Sequence, residues 1–392
     1  MTVWIENPFD NLPREGGRPM RFWLVARAFA AAGHRVLYWT SSFNHTLKAP
    51  RRLPASFEAE GVSVRLVPTP PYKSNIGLAR IRSHAAYARA WERLARDPSL
   101  PRPDVLVVSS PPLATGPVAR RLARRFGAKL VVDVMDAWPE TFYRLLPGPL
   151  RTLAPLLFAP LLRTVRADMR GADLVIGVSQ RYCDRARRMG ARNVLRLSHA
   201  TPLPVAEPAG PDAPPRLALV YVGAMGKTYD LGTILRALLL VPEATLDLAG
   251  AGCREPSLKA FVRAHGLAGR VRFHGYLPAP EVSALLARST VGLIPMRADS
   301  CVGIPNKLVD YSAAGLAVAS SLAGESADLL ARYGAGVSYE AGSPESLAQS
   351  LRTIPPRLPE MRAGARRLAR EQFDAAKTAS AYVQAVERLV AP

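Results

Sequence analysis

The sequence predicts an α/β protein built as two doubly wound parallel-sheet domains that face a central cleft. Short apolar, β-branched runs alternate with longer segments of helical period, the pattern of a parallel sheet covered on both faces by helices. That series is completed twice, and a proline-rich stretch lies between the two runs. A chain of 392 residues, 48% of them hydrophobic, is too long for one ordinary core and has apolar side chains enough for two.

In the first series the predicted strands are 2–5, 35–40, 62–67, 104–110, 129–134 and 173–179, with helices between them. The second restarts with LALVYVG at 217–223 and continues through ATLDLAG, RVRFHG, TVGLIP and LAVASS. Residues 201–216, TPLPVAEPAGPDAPPR, carry too many prolines for a continuous helix or a central strand and form the linker. The domains are therefore expected at 1–200 and 217–373. The last segment, 374–392, has an amphipathic helical period with no strand after it, which predicts a terminal helix packing back on the first domain.

A formal charge of +21 and an isoelectric point near 10.6 give the surface a positive field. Such a field favours nucleic acid, anionic lipid or phosphorylated small molecules, or else reflects an arginine-rich composition with no specific partner. The clustered aromatics and lysines of a nucleic-acid face are missing, so no nucleic-acid partner is expected. Cys183, Cys253 and Cys301 are widely spaced and follow no metal-ligand pattern, which suggests neither a disulfide framework nor a zinc site and fits a reducing compartment. The N-terminus has no basic region followed by an apolar stretch, so the chain is expected to be cytoplasmic. The longest apolar region, 145–162, is interrupted by four prolines and Arg151 and is too broken to span a bilayer. With the arginines that follow it, the stretch 145–170 reads either as a segment resting on a membrane surface or as a buried helix with its arginines outward.

In an open parallel sheet, ligands bind beyond the carboxyl ends of the strands, so the loops there are the places to search. The first, NPFDNLPREGGRP, offers Gly16 and Gly17 before a helix N-terminus that favours an anion; an ordinary glycine turn would look the same. It is not a GxGxxG fingerprint, and no dinucleotide cofactor is expected. The second, VVDVMDAWPETFY, clusters Asp133, Asp136 and Glu140 with Trp138. Carboxylates can accept from sugar hydroxyls and rings can cover sugar faces, unless Asp136 merely caps the next helix and Trp138 is core.

The third loop, YVGAMGKTYDL, sets Gly223 and Gly226 before Lys227 at a helix start, a small diphosphate site or a glycine turn followed by a surface lysine. The fourth region, RADSCVGIPNKLVDYSAAG, leads into a helix with Asn306, Lys307 and Asp310. The last two, three apart, share one face, where the lysine can neutralise a phosphate and the carboxylate can take both vicinal hydroxyls of a ribose, or where the two form a plain ion pair. Of the six histidines, His34, His45, His84, His199, His265 and His274, none match a ligand spacing. His45, in SSFNHTLK after the second strand, either faces the cleft or belongs to the surface.

From the Gly16-Gly17 loop through DAWPE, VGAMGK, LAGAG and HGYLP to IPNKLVDYSAAG, the order and spacing of these motifs resemble the family 4 glycosyltransferases of the GT-B fold, in the branch that builds bacterial surface polysaccharides. The resemblance covers essentially the whole chain. It implies two Rossmann-like domains and transfer of a sugar from a nucleotide-sugar, UDP- or GDP-linked, to a saccharide acceptor such as a polyprenyl-diphosphate saccharide. Lys227 and Lys307 would bind the donor diphosphate and Asp310 the ribose. Gly223, Gly226, Gly250, Gly252, Gly275 and Tyr276 would shape the nucleotide pocket, and Asn306 opens the donor helix. Val302, Gly303 and Ile304 would present backbone amides to the transferred sugar. Acceptor contacts would come from Gly16, Gly17, His45, Asp133, Trp138 and Glu140, with Asp136 joining the two lysines in catalysis.

The family commonly carries two glutamates eight positions apart. Here the second position is Asp310 and the first is Val302, so no carboxylate stands there as a covalent nucleophile. The implied route is retention of anomeric configuration by same-face attack, with the departing diphosphate taking the acceptor's proton and its growing charge met by lysines and amides. No DxD motif occurs and no metal is expected. A nucleotide-sugar epimerase on the same fold would need acidic and histidine groups concentrated at the donor sugar, and a phosphorylase a pyridoxal-lysine context; neither pattern is present.

Overall fold

The computed structural model describes residues 1–13, 15, 19–203, 217–226 and 228–391, so most of the expected linker, together with Gly16, Gly17 and Lys227, lies outside the described residues. The chain divides into two compact units. Met1–Ser198 and Ala376–Pro392 make unit 1, and His199–Ala375 make unit 2.

Unit 1 opens with β1 (Thr2–Glu6), α1 (Arg21–Ala31) and β2 (Arg35–Ser41). A small hairpin follows, β3 (Phe43–Asn44) with β4 (Ala49–Pro50), then β5 (Ser56–Ala59) and β6 (Val62–Val67). The chain next runs through α2 (Leu78–Leu94), β7 (Val105–Ser110), α3 (Thr115–Phe126) and β8 (Lys129–Val134). It continues with α4 (Ala154–Leu157), α5 (Ala159–Gly171), β9 (Leu174–Gly177), α6 (Gln180–Arg188) and β10 (Val194–Arg196). The sheet order is β10-β9-β8-β7-β1-β2-β6-β5, parallel throughout except that β5 runs antiparallel to β6. The inner strands are buried on both faces, as Val105, Leu106, Val107 and Val108 show, which is why they read as continuous apolar runs. The strands at the two edges, β5 and β10, did not stand out in the sequence: SFEA and VLR are four and three residues long, too short for the alternation in SFEA to be told from chance.

Unit 2 holds β11 (Ala218–Val222), α7 (Leu231–Leu240), β12 (Thr245–Ala249), α8 (Glu255–Ala264), β13 (Val271–Gly275) and α9 (Ala279–Ala287). After these come β14 (Val291–Ile294), α10 (Asn306–Ala313), β15 (Ala317–Ser320), α11 (Glu325–Tyr333), β16 (Gly336–Ser338), α12 (Pro344–Arg352) and α13 (Leu358–Gln372). Its sheet, β13-β12-β11-β14-β15-β16, is parallel in every pair. Only β16, three residues long at the edge, lies beyond the strands predicted for this half. Thr201 pairs with Asp374, tying the first residues of the unit to its last.

The final helix, α14 (Ala375–Val390), buries Tyr382, Val383 and Val386 in the core of unit 1. The Tyr382 ring stands edge-on to Phe29 with 6.2 Å between centroids, and the Arg21 guanidinium lies 5.8 Å from its centre. His34 Nε2 meets Glu387 at 2.9 Å near the helix end. Tyr382→Ala should therefore destabilise unit 1 by about 3–5 kcal/mol in urea unfolding while leaving the transition of unit 2 in place; a loss under about 1 kcal/mol would mean the helix is not part of that core.

Candidate functional site

Because the strands of unit 2 run one way, the loops after β11, β12, β13 and β14 gather at a single sheet edge. Glycines let these loops touch backbone to backbone. Gly223, at φ 143°, donates its N–H to the Ala249 carbonyl at 2.9 Å, and Gly250, at φ 127°, donates to Gly275 at 2.6 Å. A Cβ on Gly250 would strike the Gly223 carbonyl, and one on Gly252 would stand 2.5 Å from the carbonyl oxygen of Met225. Both φ values also lie where only glycine is at ease. Gly226 ends the described part of its loop, and Tyr276, just past Gly275, is exposed.

Lys307 closes this bed from below. Its Nζ donates to the Val222 carbonyl and lies 4.3 Å and 4.7 Å from the ring centres of Tyr221 and Tyr229. A Cβ on Gly223 would collide with that ammonium, so the glycine and the lysine are one device: the cation sits directly under the loop. The Tyr311 hydroxyl accepts the Val222 N–H at 3.0 Å, and its ring fills the space a side chain at Gly292 would need. Asn306 is exposed at the start of α10, and Asp310 is half-buried one turn further on.

The loop before α10 is pinned from behind by Ser326 Oγ, which donates to the Gly303 carbonyl at 2.6 Å, while Ile304 is buried. The Val302 N–H donates to Ser300 Oγ at 3.3 Å. That amide is turned to the loop itself.

In unit 1 the same edge carries His45, Tyr72 and Trp138. Asp136 accepts from the Ala137 N–H at 2.8 Å, from Trp138 Nε1 at 3.0 Å and from Thr141 Oγ1 at 3.1 Å, so it fixes the indole and ties it to the Thr141 side chain. Glu140 is clamped by Arg185, with both of its oxygens 2.7 Å from the guanidinium, and Arg185 also donates to the Trp138 carbonyl at 2.6 Å. Asp133 is elsewhere. It has no exposed surface and is paired with Arg21 at 2.8 Å, which removes it from the sugar-facing set: both faces of β8 are covered, so either phase of the strand buries its side chain, and Asp133 meets the guanidinium that α1 brings to it.

Around the expected His45 and Trp138 stand groups that the sequence did not mark, Lys48, Tyr72, Arg80 and His84: His45 Nδ1 lies 2.5 Å from the Tyr72 hydroxyl and 3.1 Å from Lys48 Nζ, and Arg80 lies over Trp138 and donates to His84 at 3.4 Å. The signal for Arg80 and His84 was their spacing of four on one helix, too common to stand out without the tertiary contacts. Asp10 accepts from the N–H groups of Phe22 and Trp23 at 2.8 and 3.2 Å and so anchors the start of α1. Glu6, last in β1, is fully buried beside Tyr87, Ser109 and Thr115. Burial pushes its carboxyl up to about 8, only partly offset by those neighbours.

Folded Glu6 thus keeps its proton to about pH 8 while the unfolded chain releases it near 4.5, so this group's contribution to stability is lost as pH rises across that window. Comparing urea midpoints at pH 6.5 and 8, the native chain should lose more stability than Glu6→Gln, whose amide does not titrate. Parallel pH profiles for the two would mean that Glu6 is already ionised in the fold.

Comparison with known proteins agrees with this architecture. Residues 16–197 match the family model described as a glycosyl transferase 4-like domain, and residues 216–354 match glycosyl transferases group 1. No curated protein sequence matches the chain. Among solved structures, sucrose-phosphate synthase from Thermosynechococcus elongatus superposes with a TM-score of 0.78 at 16% identity, covering 99% of this chain and 98% of that one. HepE of Anabaena, solved with UDP and glucose, gives 0.70 at 15% identity over 99% and 100% of the two chains. WaaG, a glycosyltransferase involved in lipopolysaccharide biosynthesis, gives 0.66 at 17% identity over 97% and 99%. These likenesses establish the GT-B fold, and the two family matches, which together span most of the sequence in the order the fold requires, make the chain a glycosyltransferase of the family 4, GT-B type.

Proposed function

We propose that the chain transfers a hexose with retention, without a metal, from a UDP-linked donor to a saccharide acceptor carried on a polyprenyl diphosphate, as in the building of a surface polysaccharide. The observation that carries the donor half is Lys307 held under the Gly223 loop at the edge where Gly250 and Gly275 meet, with Asp310 one turn along the same helix. A diphosphate laid on glycine backbone there would sit against a cation and the N-terminus of α10, and the ribose would fall to Asp310. The solved complexes of HepE with UDP-glucose and of the pneumococcal O-GlcNAc transferase GtfA with UDP favour uridine as the base.

In this reading Lys227 and Lys307 stabilise the charge that grows on the leaving diphosphate, and a diphosphate oxygen takes the proton of the attacking hydroxyl. Val302 offers no nucleophile, so attack and departure occur on one face. Trp138 covers the acceptor sugar, Asp136 acts by fixing that ring, and Glu140 acts through Arg185. UDP-glucose should raise the melting temperature of the chain, and Asp310→Ala should weaken its binding by about ten- to a hundredfold. Equal shifts in both proteins would remove Asp310 from the ribose site. Transfer that stops on adding a chelator would overturn metal independence.

The acceptor half rests on a surface feature. Leu153 and Leu156, in and beside α4, are 50% and 73% exposed, with Leu150, Leu157 and Leu161 also outward and Arg151, Arg163 and Arg166 among them. The alternative, a buried helix with outward arginines, describes α5, which buries Leu162, Val165 and Met169 and turns Arg163, Arg166 and Arg170 outward, but not the leucines before it. Among the described residues no helix is long and apolar enough to cross a membrane, so the leucines suit a face that lies in the headgroup layer, where lipid-linked acceptors are found. In cosedimentation with phosphatidylglycerol-containing vesicles, Leu153→Glu with Leu156→Glu should lower bound protein about tenfold, each leucine otherwise burying its side chain in lipid. Undiminished binding would detach the segment from the membrane.

A further inference from the structure

Lys48 and Arg80 bring two cations to one aromatic pocket of unit 1. The guanidinium of Arg80 lies 4.8 Å from the ring centre of Trp138 and 5.9 Å from that of Tyr72; Lys48 Nζ lies 5.0 Å from the Tyr72 ring. Among the described residues neither cation stands in an ion pair with a carboxylate. Asp136 is the one acid whose charge reaches Arg80, and its oxygens are engaged by Trp138, Ala137 and Thr141. Lys48 is held there by the β3–β4 hairpin, at φ 55°, a conformation that lysine rarely adopts.

The two histidines are set by these cations. An ammonium and a guanidinium can only donate, so His45 Nδ1 accepts from Lys48 and His84 Nε2 accepts from Arg80, which leaves the ring protons on Nε2 of His45 and Nδ1 of His84. Burial and the neighbouring positive charges push both imidazoles down to about 3, and burial with the Arg80 charge pushes the Lys48 ammonium down to about 8. Two cations and two neutral imidazoles thus share this half-buried cluster with one neighbouring carboxylate, Asp136, whose oxygens are already engaged, so the cluster carries an excess of positive charge.

We propose that this pocket binds a phosphoryl group of the acceptor, a sugar phosphate or diphosphate ester, with Lys48 and Arg80 on the phosphoryl oxygens and Trp138 against the attached sugar. This rests on the acceptor reading above and gives the acceptor its chemical handle. Ile76, Leu78 and Ile81, all more than half exposed, flank Arg80 and offer a prenyl chain an apolar exit, which a water-soluble ester would not use.

The test follows the imidazole NMR signals of His45 and His84, assigned from His45→Gln and His84→Gln, while the full chain is titrated with inorganic pyrophosphate and, separately, with farnesyl diphosphate. Both probes should move the two signals and raise their titration midpoints from about 3 towards the ordinary histidine value. Lys48→Met should weaken the response about tenfold or more, and Lys48→Arg should retain it. Tighter binding of farnesyl diphosphate assigns the site to a lipid-linked ester, and equal binding to a soluble one. Signals of His45 and His84 that stay fixed with both probes would overturn the proposal. The UDP-glucose melting shift of Lys48→Met reads the donor site separately: a shift retained while the imidazole response is lost isolates the acceptor pocket, and a shift absent from the native chain as well would sink the donor reading without touching this one.

Discussion

Parallel pairing commits every inner strand of each sheet to one direction, and the helices between them return the chain to the same starting edge. The carboxyl ends of the strands therefore collect on the opposite edge, and every loop that leaves them competes for the same space. In unit 2 that crowding is resolved by removing side chains. Gly223, Gly250 and Gly252 let the loops after β11 and β12 lie against each other and against β13 through backbone hydrogen bonds alone. Where those loops meet, main chain is in contact with main chain, with a lysine below it.

Lys307 shows how the same constraint makes a binding surface. A lysine buried to 8% exposure is costly unless its charge is met, and here a carbonyl and two tyrosine faces meet the ammonium from the protein side. A phosphate above the glycine loop would add a full negative charge to that arrangement. A methyl group at 223 would occupy the position of the ammonium and displace the lysine's tip, and the φ of 143° there favours glycine in its own right. Tyr311, one turn along α10, bonds the end of β11 and covers Gly292, so the helix that carries Lys307 and Asp310 is registered against the sheet by its own side chains.

Unit 1 solves the crowding differently. Its strand ends carry aromatic rings and charges: the Asp136–Trp138 bond and the Arg185–Glu140 clamp hold one wall, and the β3–β4 hairpin holds the other. The hairpin is fastened by Arg51, which donates to Glu15 and to the Ser41 and Asp10 carbonyls. Two sheets wound alike about a central first strand thus present different edges, one where glycine loops meet through backbone and one of rings and cations.

Much of this was legible in the chain. The inner strands were readable because each is buried on both faces and so must be apolar throughout, and the glycines at 223, 250 and 252 were readable because loops that touch by backbone leave no alternative residue. The edge strands β5, β10 and β16 were not, since half of each faces solvent and their pairing is decided by a neighbour the local sequence does not contain. Only the tertiary structure sent Asp133 inward to Arg21, turned the leucines of 150–161 outward, and brought Lys48, Tyr72, Arg80 and Trp138 together from four separate segments. Sequence determines which residues are available and where the chain must be apolar. Which charges meet is decided by distances between segments far apart along the chain, and those distances exist only once the sheet has formed.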